Sequence, residues 1–249
     1  MPRHAIIGVE GPHDQAFVSK VLLGLDFNDF GGKASDLDRF WKELIPNYPK
    51  NGMLYDRMDM PSILSTTDIS VAIYAAQGSS RLRGTFPKTF MNHTQYRDSV
   101  AAFGIVADSD KTDPIKVARD YAAVYRAHFP TFPEMPGTVD LSAIRTGVYV
   151  LPDNANRGVL ESFVIPCGDV VYPKHMAAAR AYLKQFDATD TKHWKHFDHE
   201  KALVASVASI LQPGATNTVT IKFDRWLSAP ASHLIQPFVA FLKQLLSLP

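Results

Sequence analysis

The first apolar residues of the chain follow the pattern of a strand, a tight turn and a helix. Residues 5–9 form a short apolar run that ends at Glu10. Apolar residues then recur at helical spacing over residues 17–25, with Gly24 as a stop signal. The opening of the chain therefore predicts a βα unit.

The same alternation of strand and helix signals continues along the chain. Runs rich in apolar and β-branched residues predict strands at residues 69–74, 103–107 and 147–151. Helical spacing returns after Asp113, a capping side chain that precedes a proline. Strands that alternate with helices indicate an α/β fold, with a mainly parallel sheet covered by helices on both faces.

Three segments lie between these units. A helix is predicted at residues 35–44, whereas residues 47–61 are rich in turn-forming residues and receive no element. Residues 77–80 predict a small polar loop after the strand at 69–74. We interpret the basic stretch 81–88 as a continuation of that loop.

The last eighty residues predict mostly helix, with one strand at residues 218–223 and a closing amphipathic helix near 238–246. No linker separates this part from the rest. The sequence therefore predicts a single domain over residues 1–249, with a core at about 4–166 and a mostly helical C-terminal elaboration at about 167–249.

The composition is that of a globular protein. The chain has 249 residues, of which 46% are hydrophobic and 20% charged, and its formal net charge of +1 gives no global field for an anionic partner. The single cysteine, Cys167, cannot form an internal disulfide, which favours a reducing compartment. No apolar run is long enough for a signal peptide or a membrane span. We expect a cytoplasmic protein without a membrane partner.

Acidic residues stand where the predicted strands end. Glu10, Asp108 and Asp110 directly follow strands, Glu161 comes shortly after the last one, and Asp14 lies one turn into the first helix. Ligands of open parallel sheets bind at the carboxyl ends of the strands. Two carboxylates about 4 Å apart repel by roughly 4 kcal/mol at an effective dielectric near 20. A cluster therefore needs protons, basic partners or a cation, and oxygen ligands favour Mg²⁺, Mn²⁺ or Ca²⁺ over zinc.

Each of these acids has a plainer interpretation when it is taken alone. An acid after a strand is usually a helix cap or a solvated loop residue. The arrangement of all five along one α/β pattern is what favours a site. The basic stretch that contains Arg81, Arg83 and Lys88 could contact phosphates and stack a base, or could simply balance nearby acids.

Residues 192–199 combine two lysines, three histidines and two aromatic residues. The three histidines are spaced so that they spread around a helix, which disfavours a tetrahedral zinc site. Two interpretations stay open. The segment is either a basic aromatic surface that handles nucleic acid, or ordinary surface with Trp194 and Phe197 packed inward.

Two motifs resemble the Toprim domain shared by topoisomerases, bacterial primases and nucleases of the OLD type. Residues 9–14 read Val-Glu-Gly-x-x-Asp and open a helix, and the strand that ends at residues 106–110 reads Val-Ala-Asp-Ser-Asp. The chain looks most like the OLD-like, stand-alone branch, in which a Gly-x-Leu-Glu stretch follows the next strand, as at residues 158–161. The resemblance covers roughly residues 4–166 and reaches Lys201.

The resemblance implies a Rossmann-like Toprim fold and a phosphodiester-cleaving site that uses Mg²⁺ or Mn²⁺. It implies catalytic roles for Glu10 in proton transfer and for Lys201 in stabilising the charge of the transition state. The metal ligands that it implies are Glu10, Asp14, Asp108, Asp110 and Glu161.

The function that follows is a small nuclease, a hydrolase of DNA or RNA. No tyrosine nucleophile with a strand-passage domain and no primase-type zinc module can be argued from the sequence. The resemblance suggests an effector of a defence or repair system that acts beside a partner ATPase, or as a homo-oligomer. Two alternatives are a non-catalytic Toprim-like subunit that binds or regulates a larger complex, and a nucleotidyl or phosphoryl transferase. The stretch 47–103 departs from the family pattern and bears on substrate choice.

Overall fold

The computed structural model describes residues 2–45, 60–90 and 93–249. Within these ranges the strands form one seven-stranded sheet. Its strands are β1 (Arg3–Val9), β2 (Asn28–Asp29), β3 (Ser62–Ser65), β4 (Ile69–Ala75), β5 (Ala102–Asp108), β6 (Thr138–Asp140) and β7 (Arg145–Leu151).

The strand order is β2-β3-β4-β1-β5-β7-β6. The four long central strands are parallel, and Val9 of β1 lies beside Ala75 of β4 and Val106 of β5. The short strands β2, β3 and β6 add antiparallel edges. The predicted mainly parallel α/β sheet is confirmed. Because β4 and β5 lie on opposite sides of β1, the chain changes direction between β1 and β5, and such a switch point opens a crevice at the carboxyl ends of the strands.

Helices cover both faces of the sheet, as predicted. Cores of buried apolar side chains fill both interfaces, one with α2, α3 and α4 and the other with α1 and α5 to α9. The helices are α1 (Pro12–Leu23), α2 (Ser79–Phe90), α3 (Thr94–Asp98), α4 (Pro114–Tyr125), α5 (Leu160–Val171), α6 (Pro173–Leu183), α7 (Asp198–Leu211), α8 (Asn217–Phe223) and α9 (Ser232–Leu246). In the described ranges, none has the length and apolar character needed to cross a bilayer.

The C-terminal helices belong to the core of the fold. Phe103 and Ile105 of β5 point into the layer that contains α2 and α4, whereas Gly104 faces α9. A Cβ on Gly104 would lie only 2.6 Å from Cδ2 of Leu245. Helix α9 therefore packs directly on the central strands, and the C-terminal elaboration supplies much of one hydrophobic layer.

Two expectations about local structure are wrong. Residues 81–88 are not a loop but the body of α2, because Leu82, Phe86 and Phe90 recur every four residues and are buried against the sheet. Residues 218–223 are not a strand but most of α8. Their β-branched side chains favour a strand locally, yet packing against α1 buries Ile221 in a helix.

The helix expected at residues 35–44 is present in a tighter form. The structure has 3₁₀ turns at Ala34–Asp36 and Arg39–Leu44, and the Asp38 carboxylate caps the second by accepting from the N–H of Phe40. Of the turn-rich residues 47–61, all but the last two lie outside the described residues.

Candidate functional site

The turn between β1 and α1 supplies the first two carboxylates. Glu10 directly follows Val9 at the end of β1, and Asp14 lies in the first turn of α1. The N–H of Gly11 donates to Oδ2 of Asp14 at 2.8 Å, which fixes this carboxylate over the turn. Asp14 is only 6% exposed, so its charge lies inside the crevice rather than in solvent.

The end of β5 is joined to the loop that follows β7. The N–H of Gly158 donates to the Ser109 hydroxyl at 2.7 Å, and the N–H of Asp110 donates to the Gly158 carbonyl at 2.8 Å. These bonds place Glu161, in the first turn of α5, beside the end of β5. The backbone leaves the extended conformation at Asp110, with φ of 49°, so Asp108 and Asp110 are not alternate residues of one strand.

Glu161 is the most deeply buried of the five carboxylates, with 4% of its surface exposed. Its Oε1 lies 3.6 Å from Nδ1 of His13 on α1. A protonated His13 would offset part of the negative charge of the cluster.

The carboxylates lie close enough to interact strongly. Burial raises the pKa of Asp108 well above its ordinary value. Further increases come from the charges of Asp14, Glu10, Glu161 and Asp110. Oδ1 of Asp108 is buried and accepts no hydrogen bond from the described residues. The structure thus places all five of the acids that the sequence singles out within electrostatic range of one another, and Asp110 is the exposed member of the group.

Two further acids titrate near neutral pH. Burial raises the pKa of Glu10 to about 7, with added contributions from the charges of Asp14 and Asp110. Burial also raises the pKa of Asp14 to about 6, although its hydrogen bond from Gly11 acts in the opposite direction. Without a cation, the cluster is therefore partly protonated at neutral pH.

Glu10 has a polar neighbour, Tyr121, and a positively charged one, Arg83. The Tyr121 hydroxyl donates to Oε1 of Glu10 at 3.2 Å, and the Arg83 guanidinium lies 5.7 Å from the centre of the Tyr121 ring. Arg83 Nη1 is also 3.6 Å from Oδ2 of Asp120. The hydrogen bond and the Arg83 charge both lower the pKa of Glu10 and oppose the effect of burial.

The other predicted basic residues lie at different places. Arg81 is exposed near the start of α2, where it donates to Gln77, whereas Lys88 is exposed near the other end of that helix. Lys201 is exposed on α7, and its side chain joins no ion pair or hydrogen bond in the part of the chain that the structure describes. Its neighbour Glu200 contacts the start of α5 instead.

The five carboxylates offer the oxygen ligands that a hard cation prefers, although their oxygen atoms are not arranged around one point. In the described ranges, no three side chains of His, Cys, Asp or Glu are already arranged to hold a metal ion. Local partners orient three of the acids, namely Tyr121 for Glu10, Gly11 for Asp14 and His13 for Glu161. The unpartnered Asp108 oxygen is costly to bury. An all-oxygen set of this kind suits Mg²⁺ or Mn²⁺.

Removing the Tyr121 hydroxyl tests whether this group lowers the pKa of Glu10. Because its hydrogen bond favours the ionised carboxylate, Tyr121→Phe should raise the pKa of Glu10. Protons then compete more effectively with a cation, so we expect the Kd for Mn²⁺ to rise several-fold at pH 7, and the difference to shrink at pH 9. Titration calorimetry at the two pH values measures both numbers.

Tyr125→Phe is the matched control. Tyr125 is also buried on α4, stacks with Tyr121, and donates its hydroxyl to the Leu82 carbonyl at 2.6 Å. Each variant loses one hydrogen bond of a tyrosine hydroxyl, part-buried for Tyr121 and buried for Tyr125, worth about 1 kcal/mol of stability. Equal Mn²⁺ affinities in the two variants would show that Tyr121 does not act through Glu10.

Fold and site together define a doubly wound α/β protein with an acidic cluster at the switch point of its parallel strands. The chain belongs to the family described as protein of unknown function DUF3226, which matches residues 4–247. It is also similar to the crystal structure of a hypothetical protein from Pyrococcus horikoshii OT3. That match has 17% identity and a TM-score of 0.54, and it covers 98% of this chain and 95% of the other, which supports a shared fold. Among curated proteins, none matches the chain.

Proposed function

We propose that this protein is a Toprim-like nuclease that hydrolyses phosphodiester bonds of nucleic acid with Mg²⁺ or Mn²⁺. One observation carries the proposal. Five carboxylates from three segments of the chain converge at the switch point of the sheet, and Asp108 among them has a buried oxygen that accepts no hydrogen bond from the described residues.

A bound cation accounts for this arrangement better than protons or basic side chains do. The raised pKa values of Glu10, Asp14 and Asp108 mean that ionising them together in the folded protein is unfavourable. Of the basic groups near the cluster, His13 lies 3.6 Å from Glu161, whereas Arg83 pairs with Asp120 and acts on Glu10 only through its charge. A divalent ion would neutralise several carboxylates at once and supply the partner that Asp108 lacks.

The chain's own residues would divide the work of hydrolysis. When bound, the cation supplies Lewis acidity toward the phosphoryl oxygens and makes an attacking water more acidic. Asp108 and Asp110 would anchor it, and Asp14 and Glu161 would complete a second metal position. Glu10 is oriented by the Tyr121 hydroxyl, and in its ionised form it would accept the proton of the attacking water.

Lys201 remains our candidate for the group that stabilises negative charge on the phosphoryl oxygens. Its ammonium is exposed at the start of α7, next to Glu200, which accepts a hydrogen bond from the Ser162 hydroxyl at the start of α5. This contact brings the first turn of α7 to the edge of the acidic cluster. We infer from this neighbouring contact that the Lys201 ammonium would approach the phosphoryl oxygens of a substrate seated on the carboxylates.

Basic side chains at the same edge of the sheet favour a polyanionic substrate. The chain as a whole carries a net charge of only +1, so cations beside the acidic cluster would hold a polyanionic substrate against the cluster's own negative charge. Those that follow the ends of β4, β5 and β7 are Arg81, Arg83, Lys111 and Arg157. Lys88 lies seven residues beyond Arg81 on α2, about 10 Å further along the helix, and is a more distant contact.

A cleavage panel tests the proposal. Plasmid DNA, single-stranded DNA and tRNA are each incubated with Mg²⁺, Mn²⁺ or EDTA. We expect at least one polynucleotide to be cut with a divalent ion and none with EDTA. Binding without cleavage under every condition would favour the non-catalytic subunit. Turnover of free nucleotides alone would favour the phosphoryl or nucleotidyl transferase.

The proposal places this nuclease in the cytoplasm, as an effector that a partner ATPase or a second copy of the chain could control. The buried, unpaired thiol of Cys167 supports a reducing compartment. The partner is supported only by the resemblance to OLD-like proteins. Co-purification with tagged protein from the native host is the direct test.

A further inference from the structure

The segment 192–201 lies at the margin of the carboxylate site. It leads into the first turn of α7, where Glu200 accepts a hydrogen bond from the Ser162 hydroxyl. Ser162 directly follows Glu161 in the first turn of α5. The C-terminal end of the segment therefore lies beside Ser162, the residue that follows Glu161 of the acidic cluster.

Aromatic rings of this segment face solvent. Trp194 is 39% exposed and belongs to neither hydrophobic core. The centres of its ring and of the His199 ring are 6.2 Å apart, in an edge-to-face arrangement. Phe197 is half-buried, and the centre of its ring lies 4.6 Å from that of the His196 ring. The interpretation in which Trp194 packs inward is wrong. An exposed indole beside imidazole rings is a surface on which a flat, polarisable ligand can stack.

The cations of the segment are also available. The side chains of Lys192, Lys195 and Lys201 are exposed, and none of them joins an ion pair within the described ranges. The two acids of the segment already have partners. Asp198 Oδ2 accepts from the N–H of Lys195 at 2.7 Å, and Glu200 is held by α5. With three lysines against these two acids, the segment has a formal charge of +1 and presents it together with aromatic faces.

We propose that residues 192–201 bind a single-stranded stretch of polynucleotide and hold it at the carboxylate site. Lysines would contact the phosphates, and a base would stack on Trp194. A duplex covers the faces of its bases inside the helix, so the stacking contact selects for single strands. The inference rests on the proposed function for what happens to the strand at the carboxylates, but the binding step is independent of it.

Tryptophan fluorescence can report this binding step directly. The chain has three tryptophans, and Trp41 and Trp226 are fully buried. Quenching by an added ligand therefore reports mainly on Trp194. In EDTA, which prevents turnover, we expect a 20-nucleotide dT or U oligomer to quench the fluorescence, and a blunt duplex of equal length to quench it much less. The dT and U arms distinguish DNA from RNA.

Variants of Trp194 and of the two lysines beside it test which side chains bind the single strand. Trp194→Ala should weaken binding of the preferred single strand by about 5- to 150-fold, the equivalent of one lost stacking interaction. The double variant Lys192→Glu/Lys195→Glu should weaken it further and flatten its salt dependence. Fluorescence anisotropy of a labelled oligomer measures both. Phe223→Ala is the matched control, because Phe223 is 63% exposed beside Lys222 on α8, and it should bind as the wild type does.

The results separate this inference from the nuclease proposal. If Trp194→Ala binds single strands as tightly as the wild type, or if duplex binds better, the inference is wrong, whether or not the protein cuts. If Trp194-dependent binding is present but no substrate is cleaved with any cation, the binding surface stands and the nuclease proposal fails.

Discussion

Replacing Asp108 with asparagine should abolish cation-dependent cleavage and, at the same time, stabilise the cation-free protein. Asp108 is the carboxylate on which the charges of the other four act, and one of its buried oxygens accepts no hydrogen bond from any residue that the structure describes. Loss of a central ligand removes several kcal/mol of transition-state stabilisation, so we expect cleavage to fall by on the order of 10³-fold or more.

The gain in stability has the same origin. An amide of equal size carries no charge and can donate a hydrogen bond, so it relieves both the repulsion and the cost of the unpaired oxygen. We expect Asp108→Asn to raise the unfolding free energy by about 1–3 kcal/mol in EDTA. Chemical denaturation gives this number, and the cleavage panel gives the loss of activity.

Asp169→Asn is the matched control for both effects. Asp169 is an exposed acid on α5 that pairs with Arg180, outside the cluster. Surface ion pairs contribute about 0–1 kcal/mol, so this variant should lose little stability and keep full activity. If Asp108→Asn cleaves as the wild type does, or is less stable than the wild type without a cation, Asp108 is not the central ligand of the site.

The stability of the cation-free protein should fall as the pH rises from 4.5 to 8. The folded-state pKa values of Glu10 and Asp14, about 7 and about 6, lie above the ordinary values of 4.5 and 3.8. A carboxyl group whose pKa is raised by folding stabilises the fold fully below its unfolded pKa, and this contribution is lost as the pH rises through the folded pKa. For Glu10 the loss is roughly 3 kcal/mol, spread between pH 4.5 and 7 and complete above pH 8.

A divalent cation should reverse this trend. Cations bind the ionised carboxylates, so saturating Mn²⁺ should raise the melting temperature by several degrees at pH 8 and by much less at pH 5. Differential scanning fluorimetry in EDTA and in Mn²⁺ across this range measures the effect. A cation-free protein that is equally stable at pH 5 and pH 8 would mean that folding does not raise the pKa values of Glu10 and Asp14.

Much of the site follows from the sequence because of one geometric rule. Parallel strands end at a common edge, so Glu10 and Asp108, which each follow an apolar run, were expected to meet. That β1 and β5 are direct neighbours, with the switch point between them, depends on the strand order, which no local pattern contains.

Residues that act from a distance could not be found in this way. Tyr121 stands at a helical core spacing on α4, and nothing in its neighbourhood signals that its hydroxyl reaches Glu10, 111 residues away. The role of Ser109 depends on where the loop after β7 passes, so it too was hidden. Helix α8 departs from its local strand preference because packing outweighs that preference in a segment of seven residues. Helix α2 does carry a helical spacing of apolar residues, but the basic residues between them favour the interpretation as a loop.

Counting bound Mn²⁺ by electron paramagnetic resonance tests the metal site most directly. At pH 8, wild-type protein and Asp169→Asn should each hold at least one Mn²⁺ per chain, and Asp108→Asn should hold none at the same free concentration. Equal Mn²⁺ occupancy in Asp108→Asn and wild type, or no bound Mn²⁺ in any of the three proteins, would contradict the assignment of these carboxylates as a cation site.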